Sequence, residues 1–211
     1  MDSGQMRARL RRDLHDEDAA NYRWTDNELD RHIQRAVAEF SLAVPLEATA
    51  SLTTTAGSRE LSLASLTDRV VVEAVEYPVG YYPPRYVSFS VWGDTLSLLV
   101  DNAPEAGEAV KVYYGKLHTL NATTSTIPVP LEEVVATGGA AYAALEWASY
   151  ATNRINVGGA GVWRDYLIWG QELLAAFARD LAKAAKKNTV RVRQLYRPYQ
   201  PLPSQATDWG P

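Results

Sequence analysis

The spacing of apolar residues changes at Glu47, and this change limits the possible folds more than any other feature of the sequence. Before Glu47, apolar residues recur every three or four positions, as they do on one face of a helix. From there to His118, six short runs rich in Thr, Val, Tyr and Leu follow one another, separated by turn residues. After this region the helical spacing returns. The sequence therefore predicts an α+β protein, with an antiparallel β-sheet or sandwich domain inserted into a helical bundle.

These patterns divide the chain into four segments. Residues 1–45 supply the N-terminal helices of the bundle, and residues 46–120 form the inserted β domain. Residues 121–187 supply the C-terminal helices that complete the bundle, and residues 188–211 form an extended tail. Within the β domain, Gly93-Asp94 predicts a tight hairpin turn, of type II′ rather than I′ because the glycine comes first.

A first, short helix is predicted near the N-terminus. Met6, Leu10 and Leu14 follow one another at intervals of one helical turn, and arginines occupy the other faces. The acidic run from Asp13 to Asp18 then ends the helix. Because this run lacks the central glycine and distal glutamate of a calcium loop, we expect a solvated helix end.

The second helix has the clearest start signal in the sequence. Thr25 can cap it, and Glu28 can bond back to the cap residue as a capping box. The helix stops before Pro45, and we expect His32 at the surface because it faces away from the apolar stripe. The residues of that stripe are Leu29, Ile33, Ala36, Val37 and Phe40.

Two further helices are predicted after the β domain. The first begins near Pro130 and contains Gly138 and Gly139, which are costly inside a helix unless another helix approaches closely there. The glycines of residues 158–161 lack the strand and the Lys of a phosphate-binding loop, so they indicate a turn between helices. The last helix runs from about Val162 to Lys187, with one side formed by Trp163, Tyr166, Leu167, Gly170, Leu174, Phe177 and Leu181.

The composition argues against catalysis and cofactor binding. There are no cysteines, and the three histidines lie at no metal-ligand spacing, so we expect no metal and no cofactor. No serine lies in a nucleophile motif, and Glu73 and Glu76 point to opposite sides of their strand. We therefore expect that the protein is not an enzyme. No apolar run approaches the roughly 20 residues of a membrane span, and the N-terminus lacks the core of a signal peptide.

The charge of the chain is unevenly distributed. From Lys183 onward, six Lys and Arg stand against one Asp, which gives a net charge of +5. The rest of the chain carries −9, since the whole sequence carries −4. A basic end on an acidic body predicts an acidic partner for that end, either nucleic acid or another protein.

The tail, "RVRQLYRPYQPLPSQATDWGP", has no helical or strand period, and its prolines exclude regular elements. It supports two hypotheses, beside simple disorder of a chain end. In the first, arginines bind phosphates and aromatic rings stack on bases, as in a nucleic-acid-binding module. In the second, the strip docks on a partner protein, which its composition favours because Tyr, Trp and Arg are common interface anchors. The residues concerned are Arg191, Arg193, Tyr196, Arg197, Tyr199 and Trp209.

Two stretches of the sequence resemble the head–tail adaptor (connector) proteins of tailed bacteriophages. The first is "RARLRRDLHDEDAANYRWTDNELDRHIQRAVAEF", which contains the family's helix start W-[ST]-D-x-[EL]-L-x-x-x-I. The second, "ALEWASYATNRINVGGAGVWRDYLIWGQELLAAF", is similar to the paired helices that complete the family's bundle. The start motif consists here of Trp24, Thr25, Asp26, Glu28, Leu29 and Ile33.

The resemblance implies a structural protein of the virion neck, assembled in the host cytoplasm. Such a protein forms a ring, expected to be dodecameric, from neighbouring copies of itself beneath the portal protein at the capsid vertex. The ring links the capsid to the tail, receives a downstream tail or stopper component, and lets genomic DNA pass without sequence-specific binding. The C-terminal tail would bind the portal, through the six tail residues named above.

Overall fold

The computed structural model describes residues 1–152 and 161–192, and these form two compact units. The helical unit consists of Met1–Leu46 and Gly115–Val190, and the β unit consists of Glu47–Tyr114. The predicted α+β class is confirmed. The helices are α1 (Ser3–Asp13), α2 (Asp26–Ala43), α3 (Glu132–Thr152) and α4 (Val162–Val192), with a short 3-10 helix at Val129–Leu131 before α3. The strands are β1 (Leu46–Thr53), β2 (Glu60–Ser62), β3 (Arg69–Glu76), β4 (Tyr86–Val87), β5 (Phe89–Trp92), β6 (Thr95–Leu98) and β7 (Ala109–Lys116).

Both N-terminal helices start with a capping box. Thr25 caps α2 together with Glu28, as the sequence predicts, and Asp2 caps α1 together with Gln5. Each box satisfies backbone N–H groups that the first turn of a helix leaves without partners. The predicted apolar faces of both helices are confirmed, because Met6 and every residue of the α2 stripe are buried.

The acidic turn after α1 differs from the prediction. Asp16 is only 4% exposed, although a solvated helix end was expected. Its carboxylate accepts a hydrogen bond of 2.7 Å from Arg11 Nη1 and another of 2.7 Å from the backbone N–H of Arg23. Arg11 also donates to Asp26 Oδ1 at 2.7 Å, at the start of α2. A buried charge needs such partners, so this cluster joins α1 to α2.

Helix α3 packs at very short range against its neighbours, as its glycines predict. A Cβ atom on Gly138 would lie 2.9 Å from the ring of Phe177 and 3.0 Å from the Cβ of Ala36. A Cβ atom on Gly139 would lie 2.8 Å from Leu10. These two adjacent residues therefore contact α1, α2 and α4, and any larger side chain there would separate the helices.

The β unit contains two antiparallel sheets, with strand orders β1-β7-β3-β4 and β2-β6-β5. The run "RYVSFSVW", predicted as one strand, is divided between them. Val87 in β4 pairs with Val75 in the first sheet, whereas Phe89 in β5 pairs with Leu98 in the second. The type II′ turn is confirmed, because Trp92 pairs with Thr95 across a loop in which only the glycine has positive φ.

Helix α4 continues beyond the predicted end at Lys187. It ends at Val192, so residues 188–192 are helical rather than part of an extended tail. The first proline that would interrupt a helix is Pro198, and the residues before it carry no other strong helix-breaking signal.

Replacement of Gly138 by valine tests the close packing of α3. Valine has a higher intrinsic helix propensity than glycine, so an isolated helix would gain stability. In this protein the added methyl groups overlap Phe177 and Ala36, and we expect a loss of about 1–3 kcal/mol in the free energy of unfolding by urea. The control Ala178→Val, at an exposed site of α4, is expected to cost roughly 0.5 kcal/mol. A Gly138→Val protein as stable as the wild type would contradict the packing described above.

Candidate partner-binding surfaces

Of the six predicted portal-binding residues, the structure describes only Arg191. Arg191 lies in the last turn of α4. The other residues, Arg193, Tyr196, Arg197, Tyr199 and Trp209, lie outside the described residues. Their assignment to a partner surface remains a prediction from the sequence.

An aromatic cluster joins α3, α4 and the start of α2. The ring centroid of Trp147 lies 5.6 Å from that of Trp24 and 6.3 Å from that of Tyr166, which is 6.0 Å from Trp169. The guanidinium group of Arg23 lies 5.6 Å from the ring centre of Tyr166 and donates a hydrogen bond to its hydroxyl. Pairs of this kind contribute about 0.5–1.5 kcal/mol each beyond the area they bury, so the cluster fixes the α3–α4 pair to α2.

A groove lies beside this cluster, and we call it the aromatic groove. Its volume is about 440 Å³, and its lining is mostly apolar. Tyr166 and Trp169 are half-buried there, Leu14 is buried, and the charged Asp165 is exposed. The lining residues are Leu14, His15, Arg23, Asp165, Tyr166 and Trp169. Sequence reasoning missed this groove because its lining comes from three separate segments.

A second groove of about 520 Å³ lies between α2, α3 and α4, and its polar groups already bind one another. His32, expected at the surface, is buried and bonds to Glu146, which also accepts a hydrogen bond from Arg31. Burial raises the pKa of Glu146, but the hydrogen bonds from Arg31 and His32 outweigh it and the pKa is lowered. Arg35 stacks 3.9 Å from the ring centre of Tyr142, the pKa of which rises to about 12 through burial and a hydrogen bond to Glu39.

The β unit exposes large aromatic side chains. Tyr82 is 98% exposed and Trp92, at the tip of the β5–β6 hairpin, is 90% exposed. Tyr81 is exposed beside Arg85, whereas Tyr86 packs edge-on against Tyr113 at 5.7 Å. Of the three tyrosines around Pro83-Pro84, the two before the prolines are thus available to a partner. Exposed aromatic groups of this size often mark interaction surfaces.

Two glutamate carboxylates of the β unit accept hydrogen bonds from tyrosine hydroxyl groups. Tyr113 donates a hydrogen bond of 2.8 Å to Glu76, and burial together with this bond raises the pKa of Tyr113. Tyr77 donates a hydrogen bond of 2.5 Å to Glu108, which raises the pKa of Tyr77 to about 12. Because these carboxylates serve as acceptors for neighbouring hydroxyls, they have a structural role.

The described part of the chain has neither a metal-binding cluster nor a membrane-spanning helix. Across residues 1–152 and 161–192, no cluster of His, Asp and Glu has the composition and proximity to hold a metal ion. No helix within the same ranges combines the length and apolar character that crossing a membrane requires.

The combination of a helical bundle, an inserted β unit and exposed aromatic surfaces points to a structural protein that binds other proteins. A model of the SU10 adaptor protein family matches residues 1–197. The chain belongs to this family, and the resemblance to the head–tail adaptors of tailed bacteriophages is confirmed. The protein is therefore a structural adaptor.

Solved structures show a weaker similarity. One chain from the neck of an empty GTA particle with C6 symmetry is 16% identical, with a TM-score of 0.28, and the match covers 74% of this chain and 80% of that one. A chain from the neck of a native GTA particle with C12 symmetry is 18% identical, also with a TM-score of 0.28, over 65% of this chain and 78% of that one. No curated protein matches the chain.

The contacts of Glu146 predict a pH dependence of stability. Because its pKa is lower in the folded protein, its ionised form stabilises the fold above the ordinary pKa of 4.5, and this contribution is lost as pH falls through the folded value. The Glu146→Gln variant lacks this stabilisation because its side chain cannot ionise. We expect the melting temperatures of wild type and variant to differ most near neutral pH and to converge as the pH falls below 4.5. Glu172→Gln, at an exposed site on α4, is the control and should show little difference at any pH. A gap for Glu146→Gln that does not narrow as the pH falls below 4.5 would exclude this role.

Proposed function

We propose that this protein forms a ring beneath the portal at the capsid vertex, links the capsid to the tail, and continues the channel for DNA. The observation that carries the proposal is the family match, which covers both helical parts, the β domain and the first residues of the tail. The protein would then act in the neck of the virion, after assembly in the host cytoplasm.

The C-terminal strip is the proposed portal-binding element. Ala184 is buried, whereas Lys186 and Lys187 beyond it are exposed, so α4 emerges from the helical core before the strip begins. Prolines in the following strip reduce the conformational entropy that binding would remove. Repetition of the strip around a ring would add avidity that one copy lacks.

The charge of the chain suits a passage for DNA. Outside the basic end the net charge is −9, and like charge suppresses binding to phosphates. Most arginines in the described part of the bundle are also engaged by carboxylates, which leaves them less able to bind DNA. The paired arginines are Arg7, Arg9, Arg11, Arg12, Arg31 and Arg35.

Exposed apolar side chains offer surfaces for the other proposed contacts. On the helical unit, Leu42, Val129 and Ile168 are each more than half exposed, and neighbouring copies in a ring would cover such residues. On the β unit, Trp92 and Tyr82 are the candidates for contact with a downstream tail or stopper component. Aromatic anchors of this kind contribute much of the binding energy at protein interfaces.

A charge-reversal variant tests the portal contact. Arg193→Glu with Arg197→Glu should weaken co-sedimentation with portal rings by about thirtyfold or more, since losing a desolvated interfacial charge costs about 2 kcal/mol or more. Deletion of residues 193–211 should abolish binding while circular dichroism shows unchanged helix content. The matched control, Lys186→Glu with Lys187→Glu, makes the same charge change at exposed sites of α4 and should bind normally. Normal co-sedimentation of the deletion protein would refute the portal contact.

A gel-shift titration separates the adaptor from the alternative, a nucleic-acid-binding module. We expect no shift of duplex or single-stranded DNA at protein concentrations below roughly 1 µM, even at low salt, because the acidic body repels phosphate. A binding module would instead give a shift that requires residues 193–211 and disappears steeply as salt increases. That result would favour the alternative.

A further inference from the structure

The aromatic groove has the chemistry that binds proline-rich chain segments. Such segments adopt the polyproline helix and dock between aromatic side chains, and a carboxylate beside the rings can hold a basic residue next to the prolines. Here the rings of Tyr166 and Trp169 are inclined by 57° to each other, and Leu14 provides an apolar contact. The exposed Asp165 supplies the carboxylate, while the cation in the lining, Arg23, is engaged with the Tyr166 ring and hydroxyl.

The chain contains a segment of matching chemistry at its C-terminal end. Residues 197–203 read "RPYQPLP", and we call them the proline segment. Pro198 and Pro201 are three residues apart, which places them on one face of a polyproline helix with three residues per turn. Arg197 immediately precedes them, so the segment has a cation beside its prolines, as the groove has an anion beside its rings.

Arg197 of one chain cannot pair with Asp165 of the same chain. From Asp165 to Val192, at the end of α4, the helix rises about 40 Å. From Val192 to Arg197 the chain extends at most about 18 Å, and the side chain adds only a few ångströms. Arg197 therefore cannot meet its own Asp165, so this ion pair can form only between two molecules.

We infer that the aromatic groove binds the proline segment of a second copy of this chain, with Arg197 of one copy paired with Asp165 of the other. Each copy then offers a groove and a segment at different places, so the contact is head-to-tail and can be repeated from copy to copy. The inference does not require portal binding. If the portal binds the same tail residues, as proposed above, portal and groove would compete for them.

A fluorescent peptide of residues 193–211 measures this contact directly. The peptide is titrated with the full-length protein, and binding is followed by anisotropy. We expect saturable binding that Asp165→Arg weakens by about fivefold or more, as expected when an ion pair becomes a repulsion. The matched control Glu172→Arg, two helical turns further along α4 and outside the groove lining, should bind like wild type.

Exchange of the two charges makes the test specific. A peptide with Arg197→Asp should bind wild type weakly and recover its affinity for the Asp165→Arg protein. A peptide with Pro198→Ala and Pro201→Ala should also bind weakly, since it loses the polyproline conformation. Any of three outcomes would overturn the inference. The peptide does not bind, Asp165→Arg and Glu172→Arg weaken binding equally, or charge exchange does not restore the affinity. Asp165→Arg should leave co-sedimentation with portal rings intact, which separates failure of this contact from failure of the portal contact.

Discussion

The helical unit depends on the short distance between α3 and its neighbours. At Gly138 and Gly139 no side chain separates the backbone of α3 from Phe177, Ala36 and Leu10, so helices from both ends of the chain share one core. A chain without cysteines has no disulfide to hold these distant segments together. Dispersion contacts across closely packed helices therefore provide the cohesion, and alanines buried along α3 extend them.

Sequence reasoning succeeded where the cause of a structure is local. The capping box of α2, the apolar stripe of α2 and the type II′ turn each depend on residues within one element or one turn. Sequence reasoning failed where the cause is a partner from another element. The burial of Asp16 depends on Arg11 and Arg23, and the burial of His32 depends on Glu146, which lies in another helix. The division of one β run between two sheets likewise depends on which strands lie beside it.

The candidate surfaces differ in how far the sequence predicts them. The composition of the C-terminal strip predicts partner binding, and this stays a prediction because residues 193–211 lie outside the described residues. The aromatic groove, by contrast, combines residues from the end of α1, the segment before α2 and the start of α4. No spacing in the sequence predicts that Leu14, Arg23 and Trp169 line the same groove.

The chain passes directly from one sheet of the β unit to the other at Ser88, between β4 and β5. The carbonyl of Ser88 also accepts a hydrogen bond of 2.9 Å from the N–H of Leu99, just after β6. At this crossing the link between the two sheets is only one residue long, so the ends of β4 and β5 cannot move apart independently.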